Sequence, residues 1–130
     1  MLSRRLFLFA AAAGAGLAGA APARAFEFQP YDPAEAKKVI ASGRPAIVHV
    51  YASWCLQCHA QASILDGLKG DKAYDGVRFF RVDYDAQKDV VEQLACPRST
   101  LIAYRGGKEV ARMSWGMSED AVLGVLKTAL

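Results

Sequence analysis

A Cys-x-x-Cys pair between an apolar, β-branched run and a helical pattern is the feature that most constrains the fold of this chain. Residues 45–52 predict a buried strand, and Cys55 and Cys58 open a predicted helix over residues 55–70. Cysteines with this spacing on a first helical turn lie within reach of one disulfide. The partial positive charge of a helix N-terminus favours a thiolate on the first of them. The sequence therefore predicts a dithiol redox centre where a buried strand meets a helix.

The rest of the chain alternates between helical and strand patterns. Asp32 followed by Pro33 and Glu35 has the features of a helix start, and Ser118 followed by Glu119 has them again. Helices are predicted over residues 33–42, 55–70, 85–94 and 119–130, and strands over residues 45–52, 77–82, 100–104 and 109–115. This order predicts an α/β fold with a central mixed sheet, helices on both faces and an antiparallel hairpin at one edge.

The first 25 residues have the features of an export signal. Arg4 and Arg5 form a twin-arginine pair, residues 9–21 are apolar, and Ala23-Arg24-Ala25 is an A-x-A cleavage site. A retained membrane anchor is the alternative, although Ala and Gly make this stretch a weak span. We expect residues 1–25 to be a cleaved twin-arginine-type signal peptide and residues 26–130 to form the single domain. The expected location is the bacterial periplasm, where disulfides form and persist.

The charge balance and the cysteine content exclude two classes of protein. The whole chain has a formal charge of +3, but three of its arginines lie in residues 1–25 and all 13 acidic residues lie beyond them. The remaining domain is therefore about neutral, and we expect no nucleic-acid partner. Three cysteines are too few for a disulfide-stapled scaffold.

The element order, with Trp54 directly before the dithiol, resembles the thioredoxin family over residues 32–130. Asp83 at the end of its strand and Gly106-Gly107 in the hairpin match the family as well. The resemblance implies a thiol–disulfide oxidoreductase in which Cys55 attacks a disulfide, Cys58 resolves the mixed disulfide, and no cofactor or metal takes part. With export, it implies that the substrates are exported proteins with cysteines. We expect the protein to be a monomer. We also expect a redox partner to restore the dithiol, and a membrane electron donor is one candidate for this partner.

Two positions near the dithiol depart from the family pattern. Ser99-Thr100 stands where the family has a cis-proline and a threonine at the substrate-binding site, and Trp54, Ser99 and Thr100 are the predicted substrate contacts. We expect a trans bond before Ser99, because a non-proline cis bond costs about 3 kcal/mol. His49 stands where thioredoxins carry a buried acid. A buried, neutral His49 can accept the Cys58 proton, and the alternative is a purely structural core histidine.

The residues between the cysteines bear on the direction of electron flow. Leu56-Gln57 is neither the Gly-Pro of reducing thioredoxins nor the Pro-His of strong periplasmic oxidants. The absence of Pro-His slightly favours a reductase. Cys96 is a candidate third redox thiol, although a free cysteine more commonly acts as a small, buried apolar side chain.

Two other functions remain open at this point. Cys55 to His59 also spells the Cys-x-x-Cys-His haem attachment motif, with Met113 and Met117 as candidate axial ligands, although the flanking strand and helix patterns disfavour a small cytochrome. A copper-handling protein would use the thiolates as soft ligands. If no haem is attached, we expect His59 to be exposed and to have no catalytic role. We expect Trp115 in the core or on the sheet surface.

Overall fold

A five-stranded mixed sheet forms the centre of the computed structural model, which describes residues 27–130. The strands are β1 (Phe28–Pro30), β2 (Ala46–Tyr51), β3 (Arg78–Asp83), β4 (Thr100–Arg105) and β5 (Lys108–Ser114). The helices are α1 (Pro33–Ala41), α2 (Leu56–Gly67), α3 (Lys88–Leu94) and α4 (Glu119–Leu126), with short 3₁₀ turns at Lys72–Tyr74 and Lys127–Ala129. The predicted α/β fold is thus confirmed.

The strands lie in the order β1-β3-β2-β4-β5, with β1, β3 and β2 parallel and β4 and β5 antiparallel. The edge hairpin is therefore present as predicted. Strand β1 was not predicted from the sequence. It has three residues, ends at Pro30, and exists only through its pairing with β3, where Phe28 lies opposite Phe79.

The helix starts follow the predicted capping residues. The Asp32 carboxylate accepts from the Ala34 N–H at 3.2 Å, and the Ser118 hydroxyl oxygen accepts from the Ala121 N–H at 3.1 Å. Helix α2 ends at Gly67 rather than near residue 70. Helix α3 begins at Lys88 rather than 85, because Asp83 accepts from the backbone N–H of Asp85 and Ala86 and holds a turn there.

The two faces of the sheet bury separate apolar clusters, because side chains alternate along each strand. Helices α1 and α3 cover the face to which Val48 and Val50 point, and α2 and α4 cover the face of Ile47. The same alternation places His49 on the α2 side of the sheet. The predicted signal peptide, residues 1–25, lies outside the described residues. Within residues 27–130 no helix combines the length and the apolar character needed to cross a membrane.

Candidate active site: the Cys55–Cys58 dithiol

Cys55 and Cys58 meet at the N-terminus of α2, directly after β2. Cys55 is the N-cap residue, with extended backbone at φ −92° and ψ 116°, and its Sγ accepts from the Cys58 N–H at 3.2 Å. Both side chains are buried, and both are free thiols. A sulfur at this position receives an otherwise unpaired helical N–H and the positive end of the helix dipole, which stabilise a thiolate.

The surroundings push the pKa values of the two thiols apart. Burial raises the pKa of Cys55, but hydrogen bonds from the Cys58 thiol and N–H, together with the Arg98 guanidinium, outweigh it and bring the pKa below its ordinary value. Burial and the neighbouring Cys55 raise the pKa of Cys58. The arrangement therefore favours a thiolate at Cys55 over one at Cys58, which is the order that the predicted roles of the two cysteines require.

His49 is buried beneath the dithiol helix, and it is neutral, as the sequence predicted. Burial and then the Arg81 charge lower its pKa to about 4. Its Nε2 lies 3.0 Å from Gln61 Oε1, and its Nδ1 lies 3.5 Å from Arg81 Nη2. Both partners require Nε2 to carry the hydrogen and Nδ1 to accept. Because both ring nitrogens face groups other than Cys58, the role of His49 as a base stays a prediction.

Gln61, one of the residues that sequence reasoning missed, ties two loops to α2. Its buried side-chain nitrogen donates to the Ser99 carbonyl at 3.1 Å and to the Gly116 carbonyl at 2.8 Å. These two bonds orient the amide so that its oxygen accepts from His49. The available signal was a polar residue at the helical spacing of the buried positions Cys58 and Leu65.

Ser99 and Thr100, predicted to contact substrates, are both fully buried. The bond before Ser99 is trans, as expected, since no peptide bond within residues 27–130 is cis. The Ser99 N–H donates to the Val50 carbonyl at 2.9 Å, and its carbonyl accepts from the Trp115 N–H at 2.8 Å. The Thr100 hydroxyl donates to the Pro97 carbonyl. Because these groups have partners within the protein, contact with substrates stays a prediction for both residues.

The Ser99 hydroxyl is the exception to this internal pairing. Its Oγ is buried without a hydrogen-bond partner. It nevertheless lies close enough to Cys58 to favour the thiolate form of that side chain. A hydroxyl at this position can donate to the Cys58 sulfur when the thiol loses its proton, which a proline could not do.

Trp54, which directly precedes Cys55, and Trp115 both lie against an arginine that the sequence did not single out. The Arg98 guanidinium carbon lies 4.6 Å from the centre of the Trp54 ring and 4.9 Å from that of Trp115. Trp54 is 58% exposed, and its Nε1 donates to Asp85 at 2.8 Å. Trp115 directly follows β5 with φ 70°, is 40% exposed and lies against the Arg98 guanidinium, so it is not a core residue.

Cys96 and His59 both lie outside the dithiol cluster. Cys96 packs against the apolar cluster under α1 and α3, and burial raises its pKa. Its role as a third redox thiol stays a prediction. The His59 Nε2 donates to the Ser53 carbonyl at 2.6 Å, and its ring contacts the Tyr51 hydroxyl. Through these contacts His59 holds the loop that precedes α2.

The residues that a haem or a metal would need are dispersed or already bonded. Met113 Sδ accepts from the Gly116 N–H at 3.0 Å, and Met117 is exposed. In the part of the chain that the structure describes, no three His, Cys, Asp or Glu side chains are grouped to hold a metal ion. The arrangement is suited to thiol–disulfide exchange.

Comparison with known proteins gives a consistent result. The family model described as Thioredoxin matches residues 29–128. "Putative thioredoxin-5" of Dictyostelium discoideum is 32% identical over 105 residues, which span 78% of this chain and 97% of that protein. "Thioredoxin-2" of Saccharomyces cerevisiae is 33% identical over 61% of this chain and 76% of its own length. The crystal structure of Trxlp from Edwardsiella tarda has a TM-score of 0.72 and 38% identity, over 77% of this chain and 98% of that one.

Proposed function

Since this chain belongs to the thioredoxin family, we propose that it reduces disulfides in exported proteins within the bacterial periplasm. Thiol–disulfide oxidoreductase activity itself follows from the family and from the Cys-x-x-Cys dithiol. The observation that carries the chemistry is the Cys55 sulfur at the start of α2, where it accepts from the Cys58 N–H at 3.2 Å. The location, the substrates and the direction of electron flow are the proposed part.

The reaction proceeds in two exchanges. The Cys55 thiolate attacks one sulfur of the substrate disulfide, so that a bond forms between the protein and one substrate sulfur while the other leaves as a thiolate and takes up a proton. Cys58 then loses its proton and attacks the Cys55 sulfur, which releases the second substrate thiolate. Two electrons pass from the dithiol to the substrate, and a disulfide joins Cys55 to Cys58. A redox partner that donates two electrons returns the protein to the dithiol form.

Two features of the sequence, together with the chemistry of an oxidising compartment, support the finer proposal. The pair Arg4-Arg5, the apolar stretch after it and the Ala23-Arg24-Ala25 site are typical of a twin-arginine export signal. An oxidising compartment supplies disulfide substrates. The pair Leu56-Gln57 lacks the Pro-His of strong oxidants, which supports reduction over oxidation.

Location is tested by expressing the full chain in a bacterium with a twin-arginine export system and separating the cell fractions. We expect a shortened protein that begins after Ala25 in the periplasmic fraction. The matched control replaces the arginine pair, Arg4→Lys with Arg5→Lys, and should stay in the cytoplasm. An unprocessed protein, or one found in the cytoplasm with the arginine pair intact, would contradict the proposed location.

Direction is tested by equilibrating the dithiol with glutathione buffers and measuring its reduction potential. A potential near the thioredoxin value of about −270 mV is expected for a reductase. A value close to about −120 mV, typical of a strongly oxidising periplasmic dithiol protein, would contradict reduction and indicate an oxidase.

A further inference from the structure

We propose that Arg98 determines substrate specificity by binding a carboxylate next to the disulfide of the substrate, while Trp54 and Trp115 hold its guanidinium beside Cys55. The substrates favoured in this way are peptides with Asp or Glu adjacent to the reacting cysteine. The inference rests on the thiol–disulfide activity of the family and does not depend on the proposed location or direction.

The position of the guanidinium is set by the two indole rings. Its central carbon lies 4.6 Å from one ring centre and 4.9 Å from the other. Stacking of this kind stabilises a cation and suits the planar guanidinium better than an ammonium group. Arg98 Nε is buried and has no hydrogen-bond partner. Because Nε is enclosed, the donors available to a ligand are the terminal amino groups, Nη1 and Nη2, of this half-buried side chain.

Within residues 27–130 no acidic side chain forms an ion pair with Arg98. Ion pairs within residues 27–130 join Lys69 to Asp66, Arg78 to Glu35 and Arg112 to Glu109. Asp85, the acidic residue that touches this site, accepts instead from Trp54 Nε1 at 2.8 Å. An arginine without an acidic partner can make a bidentate contact with an incoming carboxylate.

The reaction itself changes what the guanidinium faces. In the dithiol form Arg98 lies close enough to Cys55 to favour its thiolate. Once Cys55 forms the mixed disulfide, that negative charge has moved to the leaving sulfur. The guanidinium is then free to bind a carboxylate of the substrate that is still attached, which stabilises the mixed disulfide of an acidic substrate over a neutral one.

Unfavourable backbone on either side of the stack supports a functional origin. Ser99 has φ 60° and Trp115 has φ 70°, a left-handed region where residues other than glycine are uncommon and strained. The two residues are joined by the bond from the Trp115 N–H to the Ser99 carbonyl, and Gln61 holds this junction from below. The fold thus maintains a strained junction that brings Arg98 and Trp115 together next to Trp54.

The test compares two disulfide-linked peptides that differ only in Asp or Asn next to the cysteine. We expect the protein to reduce the Asp peptide about threefold to tenfold faster in kcat/KM, the range for one partly screened charge pair. Arg98→Gln and Arg98→Met both remove the charge, and Met keeps an unbranched side chain between the rings. In both variants the ratio of the two rates should fall to about one, and Arg98→Lys should restore part of it.

Two controls separate charge recognition from a structural effect. Arg105→Gln removes the same charge from the exposed hairpin and should keep the preference for the Asp peptide. In Arg98→Gln and Arg98→Met, the pH profile of Cys55 alkylation by iodoacetamide should shift upward, and the rate with anionic iodoacetate should fall more than the rate with iodoacetamide. Equal rates with both peptides in the unmodified protein would overturn the inference while the oxidoreductase activity stands. A preference that persists in Arg98→Gln would overturn it too.

Discussion

Replacing Gln61 by methionine should be one of the most destabilising changes available near the dithiol. Methionine has a similar length and fills the same volume, so the change removes hydrogen bonds without opening a cavity. Gln61 bonds to His49 Nε2 at 3.0 Å, to the Ser99 carbonyl at 3.1 Å and to the Gly116 carbonyl at 2.8 Å. All three bonds are lost together.

The loss of stability depends on which hydrogen-bond partners of Gln61 are left unpaired in Gln61→Met. The Ser99 carbonyl still accepts from the Trp115 N–H, so it keeps a partner. The buried His49 N–H is left without a partner, which costs about 1–3 kcal/mol, and the half-buried Gly116 carbonyl loses its bond at the lower end of that range, about 1 kcal/mol. We therefore expect Gln61→Met to lower the free energy of unfolding by about 2–4 kcal/mol, a large fraction of the roughly 5–15 kcal/mol typical of a domain.

The measurement is urea unfolding followed by circular dichroism, with Gln93→Met on the exposed surface of α3 as the matched control. The control should stay within about 0.5 kcal/mol of the unmodified protein. A double-mutant cycle with His49→Leu isolates the bond between the two side chains, because the double variant leaves neither partner unpaired. Its cost should be smaller than the sum of the single costs by about 1 kcal/mol or more. A loss below about 1 kcal/mol for Gln61→Met, or a strictly additive cycle, would refute this account.

The remaining predictions concern the thiols and the buried imidazole. Cys55→Ser should abolish insulin reduction and Cys58→Ser should accumulate mixed disulfides, detected by mass spectrometry without reductant; a fully active Cys55→Ser would show that the nucleophile is misassigned. Peptide mapping of the oxidised protein should find Cys55 linked to Cys58 and Cys96 free, and a predominant link to Cys96 would be inconsistent with the site. The pKa of His49 is 6.5 in its ordinary state and about 4 in the fold. Because the unfolded chain binds a proton that the native state does not, stability should fall as the pH drops from 6.5 to 4, by up to about 3 kcal/mol, and His49→Leu should lack this part of the decline in urea unfolding. In rapid-quench kinetics His49→Leu should slow mixed-disulfide resolution more than Cys55 alkylation. If His49→Leu resolves the mixed disulfide as fast as the unmodified protein throughout about pH 6 to 8, His49 has a structural role alone. Ser99→Ala should also slow resolution, since it removes a donor for the Cys58 thiolate, and an unaltered rate would exclude that donor.

Features set by neighbours in sequence could be predicted, and features set by distant contacts could not. The caps at Asp32 and Ser118 are local signals, and both were confirmed. The start of α2 at the dithiol is of the same kind. Strand β1 is too short to show alternation, and its partner β3 lies about 50 residues further along the chain. No local pattern in residues 28–30 distinguishes a strand from a loop.

The candidate site shows the same division. Burial of His49 in an apolar strand predicted its neutral state, but its hydrogen-bond partners depend on α2 and β3 packing together. Gln61 bonds to carbonyls 38 and 55 residues away along the chain, and local sequence patterns are too short to predict contacts over such separations. Arg98 acquires its place only when Trp54 and Trp115 come together around it. The chemistry of the dithiol was therefore predictable, whereas the residues that shape its surroundings were not.

The two outermost strands of the sheet bear on how the protein behaves when it is concentrated. An open strand edge can pair with a second chain and begin aggregation. Here β1 has three residues and ends at Pro30, which has no N–H to offer, and β5 carries Lys108, Glu109 and Arg112 on an exposed strand. Charged side chains, a proline and a short edge all disfavour such pairing. We therefore expect the edge strands not to pair with those of a second copy of the chain, even when the protein is concentrated.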